Sequence, residues 1–259
     1  MQFKLSGILL MFLACNAREP QNAVQPAQAM PESGIILQNQ LNKIEDIPTP
    51  DGFNRTIEEP GSFAKWLRNV PLRKDNTVYL YNGEKKQNQD AQYRVLDIET
   101  GNKNLQQCAD AVMKLRAMYF FARKEFGSIL FFDNEGSRYA FNEPFTQTHF
   151  NSYLEKVFGM CGTASLSKQM KRSALQNMTP GNAFVRGGFP GHAAIVVDMA
   201  TDDKGRKIYL LAQSYMPAQD IHILKNPMNQ ELSPWYELNE DEIIETPEYT
   251  FKSSEMKEW

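Results

Sequence analysis

The chain has 259 residues, 42% of them hydrophobic and 23% charged, with a net charge of −3. That balance gives no electrostatic reason to expect a nucleic-acid partner, whose binding usually rests on a basic face, while the length leaves room for a sizeable core. Only three cysteines and three histidines are present, and no acidic residue stands at ligand spacing from them, so neither a metal nor another cofactor is expected.

At the N-terminus Lys4 precedes an apolar run from Leu5 to Ala14, and the chain turns polar at Asn16. This is the build of a secretory signal peptide over residues 1–14, and the run is shorter than the roughly 20 residues that span a bilayer. Leu13-Ala14-Cys15, with Phe12 where the pattern prefers Leu, resembles the lipobox of bacterial lipoproteins. The resemblance implies that Cys15 is lipidated and that the lipid is the only membrane attachment. A plain secretory signal and a buried apolar N-terminus are the alternatives. Residues 15–45, rich in Gln, Asn, Ala and Pro, read as the lipidated cysteine and a flexible tether. Residues 46–259 read as a single α+β domain.

Within that domain Ser62 caps a short helix through Val70, with Phe63, Trp66 and Leu67 on one face. Thr77 to Tyr81 and Tyr93 to Ile98 read as strands, the first turning at Asn82-Gly83. A helix is predicted from Leu105 to Lys124, because Leu105, Cys108, Val112, Leu115, Tyr119 and Ala122 recur at three- and four-residue steps. Ile129 to Asp133 reads as a strand, and Phe145 to Met160 and Ser165 to Leu175 as helices. Then come four strands, Ala183 to Arg186, His192 to Met199, Lys207 to Tyr215 and Ile221 to Leu224. The turn Asp202-Asp203-Lys204-Gly205 makes the second and third antiparallel neighbours. Helices followed by an antiparallel sheet indicate an α+β fold.

Cys108 in the first turn of its helix and His192 at the start of a strand form the two halves of a cysteine-nucleophile site. A helix dipole and a neighbouring imidazolium both favour the thiolate, and such a pair splits amide hydrolysis into acyl transfer and deacylation. Gln213 is the candidate orienter of the imidazole, being polar in an apolar strand and close to His192 across the hairpin. Ser214 points to the other face. Gly187, Gly188, Pro190 and Gly191 make a tight loop in which the backbone can approach a substrate. Gln107, Gly191 and Tyr215 are candidates for the substrate groove, although 215–219 also reads as a simple packing loop. Cys161 provides the competing account: a structural disulfide with Cys108 would consume the nucleophile.

Gln107-Cys108-Ala109 resembles the Gln-Cys-Thr start of CHAP amidases and the Asp-Cys-Ser start of NlpC-type peptidases. Gly181-Asn-Ala-Phe-Val185 and Gly191-His-Ala-Ala-Ile-Val-Val197 are similar to their Gly-Asp-hydrophobic and Gly-His-Val-Ala-Ile strands. The resemblance covers roughly Leu105 to Leu224. It implies a papain-like arrangement in which Cys108 is nucleophile, His192 base and Gln213 orienter, with the Cys108 backbone N–H in the oxyanion hole. The implied substrates are peptide or amide bonds, commonly those of peptidoglycan. The sequence departs from those families in the long stretch 125–182, in Asn182 for Asp, and in Gln213 for His, Asn or Glu. The whole chain also resembles an uncharacterised family of exported bacterial lipoproteins, through Leu105 to Arg116 and Leu211 to Leu224. That implies the envelope of a Gram-negative bacterium, and Asn16 in place of Asp favours the outer membrane.

His149 is expected at the surface, and His222, alternating with Ile221 and Ile223, toward solvent or a cleft rim. Asp110 and Arg116 read as a solvated helix face. A module that keeps the fold but binds without catalysis is the main rival to the hydrolase.

Overall fold

The computed structural model describes residues 41–239 and 242–259. The signal segment 1–14, Cys15 and most of the tether lie outside the described residues. Among the described residues no helix is long and apolar enough to cross a membrane.

The strands are β1 (Phe53–Arg55), β2 (Gln92–Val95), β3 (Leu130–Phe132), β4 (Arg138–Ala140), β5 (Lys171–Arg172), β6 (Ala183–Arg186), β7 (His192–Asp202), β8 (Lys207–Gln213), β9 (His222–Leu224), β10 (Tyr236–Leu238), β11 (Ile243–Glu245), β12 (Thr250–Lys252) and β13 (Met256–Glu258). The helices are α1 (Phe63–Arg68), α2 (Cys108–Ala122), α3 (Gln147–Met160) and α4 (Thr163–Gln169). A nine-stranded sheet runs β2-β9-β8-β7-β6-β13-β5, with β1 on the far half of β7 and β10 on the near half of β8. Its strand pairs are antiparallel. The protein therefore mixes helix with antiparallel sheet, and the sheet dominates.

The β7–β8 hairpin is the spine. Gly205 turns it with φ +81°, in the left-handed region open to glycine. Alternation then divides the strands between two cores. Ala193, Ile195 and Val197 of β7, with Leu210 and Ala212 of β8, pack under the helices. Ala194 and Val196, with Leu211, pack on the opposite face against Phe251 and Ile244 from the β11–β12 hairpin. The apolar run of β7 is thus covered on both sides.

Helix α2 begins at Cys108, not Leu105, because Gln107 takes the N-cap position and its backbone N–H donates to Asp110 Oδ2 at 2.9 Å. That contact overturns the solvated reading of Asp110, which is buried as the acid of the first turn. Arg116 is also no solvated charge: its guanidinium stacks on Phe63, Phe120 and Trp259. The predicted strand Thr77–Tyr81 is reduced to isolated bridges at Tyr79 and Leu80. The predicted helix to Leu175 stops at Gln169, and β5 follows. Helices α1 and α3 are capped by Ser62 and Thr146, whose hydroxyls accept from Lys65 N and His149 N.

Candidate active site

Strand alternation places His192 and Gln213 on the hairpin-covered face of the sheet, while α2 packs on the other. The two meet where the sheet opens. β8 ends at Gln213, one residue beyond the Ile195–Ala212 pair. At that end the backbone N–H of Ala193, the residue after His192, reaches the Cys108 sulfur, as do the amides of Ala109 and Cys108 itself. Among the described residues no hydrogen bond joins the thiol directly to the imidazole.

His192 is buried. Its Nε2 lies 2.7 Å from Gln213 Oε1, and its ring is walled by Tyr215 at 4.7 Å, Tyr249 at 4.6 Å and Phe251 at 5.5 Å between centroids. Gln213 Nε2 in turn donates to Glu248 Oε2 at 2.9 Å. The NH2 end of the amide is therefore committed, so Oε1 accepts from a protonated Nε2, and Nδ1 is the nitrogen left to act as base. Glu248 also accepts from Lys86 Nζ at 2.5 Å and from Asn88 Nδ2 at 3.1 Å.

Burial dominates the electrostatics. It pushes the Cys108 thiol up to about 11, aided by Asp110 and opposed by the three backbone amides. It pushes His192 down to about 4, against the Gln213 hydrogen bond. Burial thus favours the neutral thiol and the neutral imidazole, against the thiolate that the helix N-terminus would favour. Asp110 is itself raised to about 8 by burial, against hydrogen bonds from Gln107 and its own amide.

The remaining predicted residues fall as follows. Tyr215 is half-buried over the His192 ring and close enough to Cys108 for the two to interact electrostatically. Gln107 serves as the helix N-cap. Gly191 is a packing position: a Cβ there would lie 2.3 Å from Thr163 Oγ1 and from Gly188 O. Cys161 is buried at the end of α3, and both it and Cys108 are free thiols. Its thiol is raised to about 12 by burial and by Asp133 and Asp110. His149 is half-buried and stacks on Phe141. His222, expected toward solvent, is fully buried, because Glu248 and Lys86 close over it; its Nδ1 lies 2.9 Å from Asp220 O.

Glu248, Tyr249 and Lys86 were missed by the sequence reading. Glu248 stands in Glu245-Thr-Pro-Glu-Tyr249 and Lys86 in a Lys-Lys pair, patterns that look solvated. A concavity of ≈ 410 Å³ lies beside α2 between Lys114, Met118, Phe150 and Leu154, and His192 does not line it. Among the described residues no group of three or more His, Cys, Asp or Glu is placed to hold a metal ion.

One family model, described as Domain of unknown function (4846), matches residues 44–144 and 142–258. No curated protein and no solved structure matches the chain.

Proposed function

We propose, for a chain that belongs to the family described as Domain of unknown function (4846), that it is a papain-like thiol hydrolase of the NlpC and CHAP kind, exported and held at the cell envelope by a lipid on Cys15. The observation that carries the reading is the 2.7 Å contact between His192 Nε2 and Gln213 Oε1, at the end of the sheet where the backbone of Ala193, the residue after His192, lies near the Cys108 thiol. In the first step Nδ1 takes the thiol proton as sulfur attacks the carbonyl carbon of a peptide or amide. The Cys108 backbone N–H at the start of α2 is the oxyanion donor that the resemblance implies. The amine leaves with the proton from the imidazolium, and a water activated by the neutral ring then releases the acid and restores the thiol. Tyr215 and the Gly187–Gly191 loop flank the approach. The substrate class follows the resemblance: peptide or amide bonds, first among them those of bacterial cell-wall peptide, in the periplasm or at the outer membrane of a Gram-negative cell.

A second reading is favoured by the depth of the thiol and its pKa of about 11: the same groove binds a ligand without cleaving it. Purified protein incubated with peptidoglycan stem peptides, read by mass spectrometry for new amines, separates the two. Turnover is expected, with losses of about 100-fold or more in Cys108→Ala and His192→Ala. Turnover that survives Cys108→Ala rules out the thiol mechanism. Binding of the same peptides without turnover establishes the second reading.

A further inference from the structure

We infer that Glu248 is a positioning residue of this site, selecting the tautomer of His192 through the side-chain amide of Gln213; the inference rests on the hydrolase reading above. A glutamine amide has nearly the same shape in its two flipped orientations, and His192 alone does not choose between them. With the oxygen toward the ring, Nε2 carries the proton and Nδ1 is a base. With the NH2 group toward the ring, Nε2 must accept, the proton moves to Nδ1, and that nitrogen can no longer take a proton from a thiol.

Glu248 removes the second arrangement. Its Oε2 lies 2.9 Å from Gln213 Nε2, and a carboxylate oxygen there accepts from NH2 but repels a carbonyl oxygen. The carboxylate cannot swing away to relieve the repulsion. Oε2 also accepts from Lys86 and Oε1 from Asn88, both on the 78–90 segment, so the acid is clamped from the other side. His222 Nε2 lies 4.0 Å from Oε2 and has no hydrogen-bond partner, because the His222 proton sits on Nδ1, which faces Asp220 O. Glu248 therefore has one mobile partner to direct, the Gln213 amide. A neutral orienter looks too weak for its task when Gln213 is considered alone, and the acid behind it accounts for why a glutamine suffices. The aromatic wall of Tyr215, Tyr249 and Phe251 adds no competing hydrogen-bond acceptor that the structure directs at Nε2.

The test uses the long-range ¹H–¹⁵N spectrum of the His192 ring in the full domain, together with the iodoacetamide labelling rate of Cys108 at pH 7. Wild type should show the Nε2–H tautomer. Replacing both members of the ion pair, Glu248→Leu with Lys86→Met, avoids leaving a buried lysine without its acid. That variant should show a substantial Nδ1–H population and at least about a ten-fold loss of the His192-dependent labelling rate. Glu248→Asp, which keeps a carboxylate as acceptor for the Gln213 NH2 and as partner for Lys86, should retain the Nε2–H tautomer. An unchanged tautomer in the folded double variant overturns the inference and leaves Glu248 as a structural ion pair. Labelling that is indifferent to His192→Ala in the wild-type background instead overturns the hydrolase reading, and the tautomer measurement still decides the role of Glu248.

Discussion

Strand β7 buries two ionisable residues six positions apart, and the fold treats them in opposite ways. Asp198 follows the bulge between Val196 and Asp198, which resets the alternation and turns its side chain toward the helix side. There Arg68 Nε donates to Oδ1 at 2.5 Å and Arg55 Nε to Oδ2 at 2.7 Å, and the Met199 N–H completes the shell. Both oxygens are committed and nothing about the group is free to change. His192, at the start of the strand and on the other face, is kept neutral by burial, engaged at one nitrogen and unengaged at the other. A saturated buried charge is architecture. A buried neutral imidazole with one open nitrogen is what the proposed hydrolase requires of its base.

That contrast can be broken by experiment. The largest effect is expected at Asp198. Asp198→Ala strands two guanidinium groups in the interior and should cost about 3–5 kcal/mol in urea unfolding, the usual consequence of removing one partner from a buried ionic cluster. A loss below ~1 kcal/mol removes the architectural role assigned to it.

Acid should find the other end of the strand. His192 and His222 are held at about 4 and about 3 by burial, with Lys86 adding to the effect at His222. A histidine with a depressed folded pKa binds protons more readily in the unfolded chain. Its contribution is therefore complete above pH ~6.5 and is lost as the pH falls through 6.5 toward the folded value. Stability should fall by roughly 3 kcal/mol per histidine, at most, between pH 7 and 4. His192→Gln and His222→Gln should each flatten that slope in urea midpoints measured across the range, and an unchanged slope in both variants contradicts the burial argument. The smallest effect is expected in the loop before the strand. Gly191→Ala drives a Cβ against Gly188 O and Thr163 Oγ1 and should cost about 1–3 kcal/mol, read as a shift in thermal midpoint.

Much of the constellation was legible because it is local. The Asp202–Gly205 turn sets the hairpin and brings Gln213 near the His192 end of the partner strand, but the bulge between Val196 and Asp198, which the turn does not specify, puts the two side chains on one face. The stripe on α2 marks Cys108 and places the helix start at Leu105, within a few residues of the observed start at Cys108. Where the reading failed, the missing information was non-local. His222 alternates with Ile221 and Ile223, so one sheet face was recognised as core, but nothing in those residues says that Glu248 and Lys86 cover the other. Asp110 and Arg116 look solvated until α2 is packed, when the first becomes an N-terminal acid and the second slides between three aromatic rings.

The amino-acid order by itself determined the elements that rest on period and turn chemistry: the cysteine helix and the β7–β8 hairpin, with Gln213 toward the His192 end of its partner strand. Those depend on residues close in sequence. Only the tertiary structure decided the protonation of the site and its outer ring. Desolvation is a property of everything packed around a group, so the neutral state of Cys108 and His192 follows from the two cores that enclose them and not from either residue's neighbours in the chain. Glu248 reaches Gln213 across 35 positions and Lys86 across 162. Their meeting depends on how the β11–β12 hairpin and the 78–90 segment close over the sheet, which no local pattern specifies.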